Sequence, residues 1–120
     1  MGSFRTLIAF QKAFELSMRI FHLQKKFPVE ERYDLCSQIK RSARSVTSSI
    51  GEAYRKRKYP AHFISKLTDA DMENTETQVW LDHALSCEYI DKKLYKELIN
   101  ESEEIGKLIN YMMEHPEKFA

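Results

Sequence analysis

The segment from Phe27 to Arg57 constrains the fold more than any other part of the chain. Apolar side chains recur there every three or four residues, which is the spacing of one face of an α-helix. The whole sequence has only 3 Gly and 3 Pro, so few residues interrupt long helices. The segment predicts an amphipathic helix that begins at Pro28 or Val29 and ends near Lys56. Its apolar face comprises Leu35, Ile39, Ala43, Val46, Ile50 and Ala53.

Three other segments show the same periodicity. The first predicted helix runs from Phe4 to Lys25, and the third runs from Ala61 to Cys87. Asp91 is a good N-cap for the fourth, which ends at Pro116. Four helices of similar length with short connections predict an all-α fold, an antiparallel up-down-up-down four-helix bundle. A chain of 120 residues is the size of one domain, so we expect a single domain over residues 1–120.

The first helix carries two apolar stripes, whereas a helix at the surface of a bundle needs only one. We therefore expect this helix to be buried on more than one side, by its own bundle or by another subunit. One stripe comprises Leu7, Phe10, Phe14, Met18 and Phe21, and the other comprises Ala13, Leu16, Ile20 and Leu23.

The sequence lacks the spacings that mark common catalytic and metal sites. A di-iron bundle needs Glu-x-x-His pairs, but Arg, Tyr, Trp and Met stand three residues before the four histidines. The sequence also lacks a zinc-type Cys or His spacing, a Gly-rich phosphate loop and a GxSxG turn. We therefore predict a protein that is not an enzyme and has no cofactor, metal or small-molecule substrate.

Cysteine usage and hydropathy indicate the compartment. Cys36 and Cys87 are the only cysteines, and we expect both to be buried, reduced thiols. The N-terminal residues do not follow the secretory signal pattern, and no apolar run is long enough to span a membrane. We expect a cytoplasmic protein that does not bind membranes.

The two halves of the chain carry opposite charge. Residues 1–58 hold 13 Lys and Arg against 5 Asp and Glu, whereas residues 59–120 hold 6 against 13. Cations concentrated along one helix predict a surface for phosphates, so RNA or DNA is a candidate partner. The alternative is that these cations cap the helix and pair with acidic helices. The candidate contact residues are Lys40, Arg41, Arg44, Arg55, Lys56, Arg57 and Lys58.

The third predicted helix has an acidic face that could pair with the cations of the second helix. Glu73 and Glu76 lie on this face, and Arg41, Arg44 and Arg55 are the cations that we expect to pair with it. Trp80 lies off the main apolar stripe, which predicts a subunit contact because Trp is enriched in interfaces. The candidate subunit interface or polar network comprises Glu52, Glu73, Glu76 and Trp80.

Residues 27–56 also resemble a known family. They read FPVEERYDLCSQIKRSARSVTSSIGEAYRK, which is similar to the pattern FPxEExYxLxxQIxRSAxSVxxNIAEGxxR. This pattern belongs to the small four-helix-bundle family encoded in intervening sequences of bacterial 23S rRNA genes. Glu76-Thr77-Gln78 resembles its downstream ETQ segment. The departures from the family's usual residues are Ser49, Gly51, Ala53, Asn74 and Glu88, which stand in place of Asn, Ala, Gly, Glu and Gly.

The resemblance implies an antiparallel four-helix bundle without enzymatic activity. Homopentameric rings occur in the family, and related proteins that accompany the reverse transcriptases of diversity-generating retroelements present a basic surface to nucleic acid. We therefore expect a homo-oligomer, a pentameric ring, that acts as a scaffold or as an accessory protein associated with RNA or DNA. The alternative is a protein–protein interaction module with no role in nucleic-acid binding.

Overall fold

Four long helices account for most of the structure, as the sequence predicts. A computed structural model describes residues 2–120. Single 3₁₀ turns precede α1, join α1 to α2 and follow α4. The helices are α1 (Ile8–Gln24), α2 (Leu35–Arg55), α3 (Pro60–Ser86) and α4 (Lys92–Glu114), and the turns are Phe4–Thr6, Val29–Glu31 and Pro116–Lys118.

The helices pack side by side in a bundle. Each helix contacts the one before it in the chain, and α1 also contacts α4, so the four helices enclose one core. The molecule measures 44 × 25 × 21 Å, and its long dimension matches the roughly 40 Å expected for α3 at 1.5 Å per residue. These contacts confirm the predicted four-helix bundle. The largest fully buried apolar side chains are Ile20, Ile39, Ile50, Phe63, Leu67, Leu81, Leu98, Ile105 and Ile109.

Helix α1 buries only one of its two apolar stripes within this chain. The stripe that includes Ala13, Leu16 and Ile20 faces the core. The other stripe is only partly covered: Leu7 and Phe10 are half-buried against the core, whereas Phe14 and Met18 are 50% and 40% exposed. The prediction of burial on more than one side is therefore not met by the bundle itself, and an exposed apolar face remains along α1.

Helix α2 begins later than the sequence pattern predicts. Instead of starting at Pro28 or Val29, the chain makes a 3₁₀ turn and enters the α-helix at Leu35. The bend buries Phe27 against the ring of Tyr89, at a centroid distance of 5.3 Å. The Glu31 carboxylate accepts hydrogen bonds from the Leu35 N–H (3.3 Å) and the Tyr89 hydroxyl (2.8 Å). These tertiary contacts outweigh the local preference of the turn for helix.

The α3–α4 corner shows the backbone signals of a helix end and a helix start. Glu88 has a φ of 62°. The N–H groups of Glu88 and Tyr89 donate to the carbonyls of Leu85 and Ala84, the pattern of a Schellman motif. Asp91 then caps α4 through the Leu94 N–H at 2.8 Å, which confirms the predicted N-cap.

Buried polar side chains lie at two seams of the bundle. The Thr77 hydroxyl donates to Ser42 at 2.9 Å between α3 and α2. The Asn74 amide donates to the Ser102 carbonyl at 2.8 Å, and the Ser102 hydroxyl donates back to Asn74 at 2.9 Å. Gln78 donates to the same hydroxyl at 2.9 Å. Asn74, one of the departures from the family pattern, therefore joins α3 to α4 rather than to α2.

The two cysteines differ in environment. Cys36 is buried, with its thiol 3.5 Å from the Gln24 carbonyl, as predicted. Cys87 is exposed, so the prediction of a buried thiol is wrong there. It is the C-cap of α3, where the helix ends and its side chain faces solvent.

Candidate nucleic-acid interface on the second helix

The predicted basic stripe divides between two flanks of α2. Arg41 lies on the flank that faces α3. Its guanidinium contacts Glu73 at 3.2 Å, binds Glu76 and donates to Gln38 at 3.3 Å. Arg44 lies on the flank that faces α1, where its guanidinium is 5.5 Å from the centroid of the Phe21 ring. The side chains three residues apart therefore have different partners.

The Arg41 flank forms a polar network. Glu76 accepts hydrogen bonds from Arg41 and from the Trp80 indole N–H, the latter at 3.0 Å. Trp80 is half-buried, packs against the core and lies 5.5 Å from the His83 ring. The structure thus joins three of the four residues proposed for a polar network, Glu73, Glu76 and Trp80, through Arg41. Each exposed ion pair of this kind contributes only about 0–1 kcal/mol.

Glu52 lies apart from that network. Its carboxylate is 3.4 Å from the Lys66 ammonium, which also lies 3.5 Å from Asp69. Glu52 therefore pairs with a lysine of α3 and does not join the Arg41 network.

The cations at the end of α2 lie on an open surface. Arg57 donates to the Tyr54 carbonyl at 3.0 Å and stacks over the Tyr54 ring at 4.0 Å. Arg55, Lys56 and Lys58 are exposed. Among residues 2–120, Arg41 is the one member of the seven-residue basic set that forms an ion pair.

Basic side chains of α1 form ion pairs with acidic side chains of α4. Arg19 bridges Glu97 (2.9 Å) and Glu101 (2.5 Å), and Lys12 pairs with Glu104 at 2.9 Å. The Glu104 hydrogen bond raises the pKa of Lys12, and the Glu97 hydrogen bond raises that of Arg19. Carboxylates of α4 therefore pair with cations of α1, and within residues 2–120 most of the predicted basic set has no carboxylate partner.

The sequence pattern missed two cations that lie near this surface. Lys25 and Arg32 line a cleft between the end of α1 and the start of α2, together with Lys40. They fall outside the periodic part of α2, so helical spacing alone does not group them. The break at Phe27-Pro28 is the signal that could have done so, because a bend there brings both flanking segments to one corner.

Neither a metal-binding cluster nor a membrane-spanning helix occurs among the described residues. No group of three or more His, Cys, Asp or Glu side chains within residues 2–120 is arranged to hold a metal ion. None of the helices in that range is long and apolar enough to cross a membrane.

Comparison with known proteins places the chain in a family. The family model described as 23S rRNA-intervening sequence protein matches residues 5–111, a span that includes α1, α2 and α3 and most of α4. The chain belongs to this family. The family match confirms the resemblance seen in the sequence. No curated protein matches the chain.

A solved structure agrees with the family and the fold. It is the 1.70 Å crystal structure of a protein of unknown function from the S23 ribosomal protein family of Bacteroides thetaiotaomicron. The two proteins share 33% sequence identity and superpose with a TM-score of 0.81. The similarity covers 89% of this chain and 96% of the other.

Proposed function

We propose that this member of the 23S rRNA-intervening sequence protein family is a non-enzymatic, cytoplasmic bundle that self-associates and binds RNA or DNA through the exposed cations of α2. The exposure and the lack of ion pairs of most of the basic set support nucleic-acid binding. Arg44, Arg55, Lys56 and Lys58 are exposed and form no ion pair with a carboxylate of residues 2–120. Unpaired cations along one helix can neutralise phosphates at little cost in broken ion pairs.

An electrophoretic mobility shift assay with structured RNA and DNA over a salt series tests the binding proposal. We expect the double variant Arg44→Gln/Arg55→Gln to weaken binding and to lower the slope of log K against log salt by about 1–2. The matched control is Lys92→Gln/Lys93→Gln, which removes the same charge from exposed positions of α4. No shift at low salt, or equal loss in both double variants, would refute an interface on α2.

Self-association is proposed from the exposed apolar face of α1. Phe10 packs against Phe4 and stacks on Phe14 at a centroid distance of 6.1 Å, so aromatic surface continues along the helix. An exposed apolar stripe of this kind marks an interaction surface. The proposed assembly is a homo-oligomeric ring, a pentamer, as the family resemblance implies, and its role is that of a scaffold.

Multi-angle light scattering tests the assembly. We expect Phe14→Gln and Met18→Gln to shift the molar mass toward that of a monomer. Met72→Gln is the control, because Met72 is an exposed methionine on α3, at 69% exposure. A monomeric parent protein at micromolar concentration would refute the assembly.

The second candidate function is a protein-interaction module with no role in nucleic-acid binding. The contact of Arg41 with Glu73 and Glu76 favours it, because that cation is already paired. Under this alternative the α1 face remains an interface. The double variant Arg44→Gln/Arg55→Gln then leaves the affinity for protein partners unchanged.

A further inference from the structure

The corner between α1 and α2 holds a cleft of about 420 Å³. This volume lies within the range of about 300–1,000 Å³ that is typical of small-ligand sites. Among residues 2–120, three cations line the cleft, Lys25, Arg32 and Lys40, and no carboxylate does. The cleft therefore concentrates positive charge in a concave site, which favours an anionic ligand.

One acidic residue near the cleft, Glu31, is held away from it. Glu31 immediately precedes Arg32, but its carboxylate accepts hydrogen bonds from the Leu35 N–H and the Tyr89 hydroxyl. None of Lys25, Arg32 and Lys40 forms an ion pair with another of residues 2–120. Three cations that lack an ion pair within residues 2–120 favour a ligand with more than one negative charge.

The apolar lining of the cleft favours a ligand that also has a flat or apolar group. Val29 is 70% exposed, and the Phe21 ring carries Lys25 at 4.3 Å from its centroid. Phe27 and Cys36 are buried at the cleft. A ligand that fills this site therefore has an anionic group beside a flat or apolar group, as a nucleotide does.

Charge distinguishes the end of a nucleic-acid strand from its interior. An internal phosphodiester carries one negative charge, whereas a terminal phosphomonoester carries about −1.5 to −2 at neutral pH and has three acceptor oxygens. We propose that the α1–α2 cleft binds the terminal phosphomonoester of a single-stranded RNA or DNA, with the adjoining nucleoside against Val29 and Phe21. This inference rests on the proposed function, because it takes nucleic acid as the partner.

Fluorescence anisotropy with matched oligonucleotides tests the inference. Single-stranded RNAs of one sequence carry a 5′-phosphate, a 3′-phosphate or hydroxyls at both ends, with the dye at the opposite end from the phosphate. We expect one phosphorylated form to bind about tenfold more tightly than the hydroxyl form. The two phosphorylated forms identify which strand end the cleft accepts.

Lys25→Gln and its neighbour Lys26→Gln form the matched pair of variants. Both residues are exposed lysines that lack an ion pair among residues 2–120, but only Lys25 lines the cleft. We expect Lys25→Gln to remove most of the preference for the phosphorylated strand, and Lys26→Gln to retain it. Equal losses would overturn the inference, because they would show a general effect of charge. Far-UV circular dichroism melting of both variants confirms that they are folded.

The outcomes separate this inference from the proposed function. Equal affinity for phosphorylated and hydroxyl strands, with loss in Arg44→Gln/Arg55→Gln, overturns the cleft assignment and supports the α2 interface. A preference for phosphorylated strands that is lost in Lys25→Gln, with the affinity for every strand unchanged in Arg44→Gln/Arg55→Gln, supports the cleft and refutes the α2 interface. Equally tight binding of a polyglutamate peptide in competition would overturn the selectivity for phosphate.

Discussion

Glu88 offers the most direct test of the fold, because it ends α3 in a conformation that glycine adopts without strain. Its φ of 62° lies in the left-handed region. The Tyr89 N–H donates to the Ala84 carbonyl at 2.9 Å, so this conformation is required for the helix to close. A Cβ atom in the left-handed region costs about 1–2 kcal/mol. The Glu88 carboxylate also lies near the negative end of the α3 dipole, which adds a small unfavourable contribution.

We predict that Glu88→Gly raises the free energy of unfolding by about 0.5–1 kcal/mol. Removing the Cβ relieves the strain of about 1–2 kcal/mol, and the greater freedom of glycine in the unfolded chain offsets about 0.4–1 kcal/mol of it. For a domain of this size, that gain corresponds to an increase of about 2–4 °C in Tm. Differential scanning calorimetry of the two proteins measures the change.

Glu88→Ala is the matched control, because it removes the carboxylate and retains the Cβ atom. Relief of the dipole interaction alone should raise Tm by about 1 °C or less. Equal increases for the alanine and glycine variants would show that charge, not backbone conformation, limits stability here. A lower Tm for Glu88→Gly would refute the left-handed end of α3.

The remaining predictions concern the core and the thiols. Gly51→Ala should stabilise the fold by about 0.5–1 kcal/mol in urea denaturation, because glycine disfavours helix and the new Cβ would make an ordinary 3.6 Å contact with a phenylalanine ring. Ser102→Ala should cost about 1–3 kcal/mol in the same assay, because it leaves the buried Asn74 amide oxygen without its donor and the half-buried Gln78 amide without its acceptor; a neutral result would contradict these hydrogen bonds. A thiol reagent should label Cys87 in the native protein and Cys36 only after unfolding, because burial and a nearby glutamate raise the pKa of Cys36. The Glu31 hydrogen bond raises the pKa of Tyr89 to about 12. Its stabilising effect should therefore be complete below about pH 10 and be lost as the pH rises toward 12, and urea denaturation of Tyr89→Phe across this range measures the loss.

Helical periodicity was sufficient to predict the bundle, because each helix buries a continuous apolar stripe. The pattern on α2 gives its core face directly, from Leu35 through Ile39 and Ile50 to Ala53. Periodicity could not decide between the two stripes of α1, since both are apolar and only packing chooses which one faces inward. It also could not place the start of α2, where the contacts of Phe27 and Glu31 with Tyr89 bend the chain.

The basic surface was predictable in composition but not in arrangement. The sequence shows the seven cations on and just after α2, yet it does not show that Arg41 pairs with α3 while Arg44 lies over Phe21. Those partners lie on other helices and depend on the rotation of each helix in the bundle. Lys25 and Arg32 joined the surface only through the bend between α1 and α2, which local spacing does not encode.

The hydrogen bonds between Asn74 and Ser102 have a consequence for how the two longest helices align. Apolar layers are nearly interchangeable, so α3 and α4 could slide past each other by one turn, about 5.4 Å, and still bury much of the same surface. Such a shift would leave the Asn74 amide buried among side chains that cannot bond to it, at a cost of about 1–3 kcal/mol. This pair therefore fixes the register of α3 against α4. Residues in the neighbouring apolar layers are then free to vary in evolution, because the register does not depend on them.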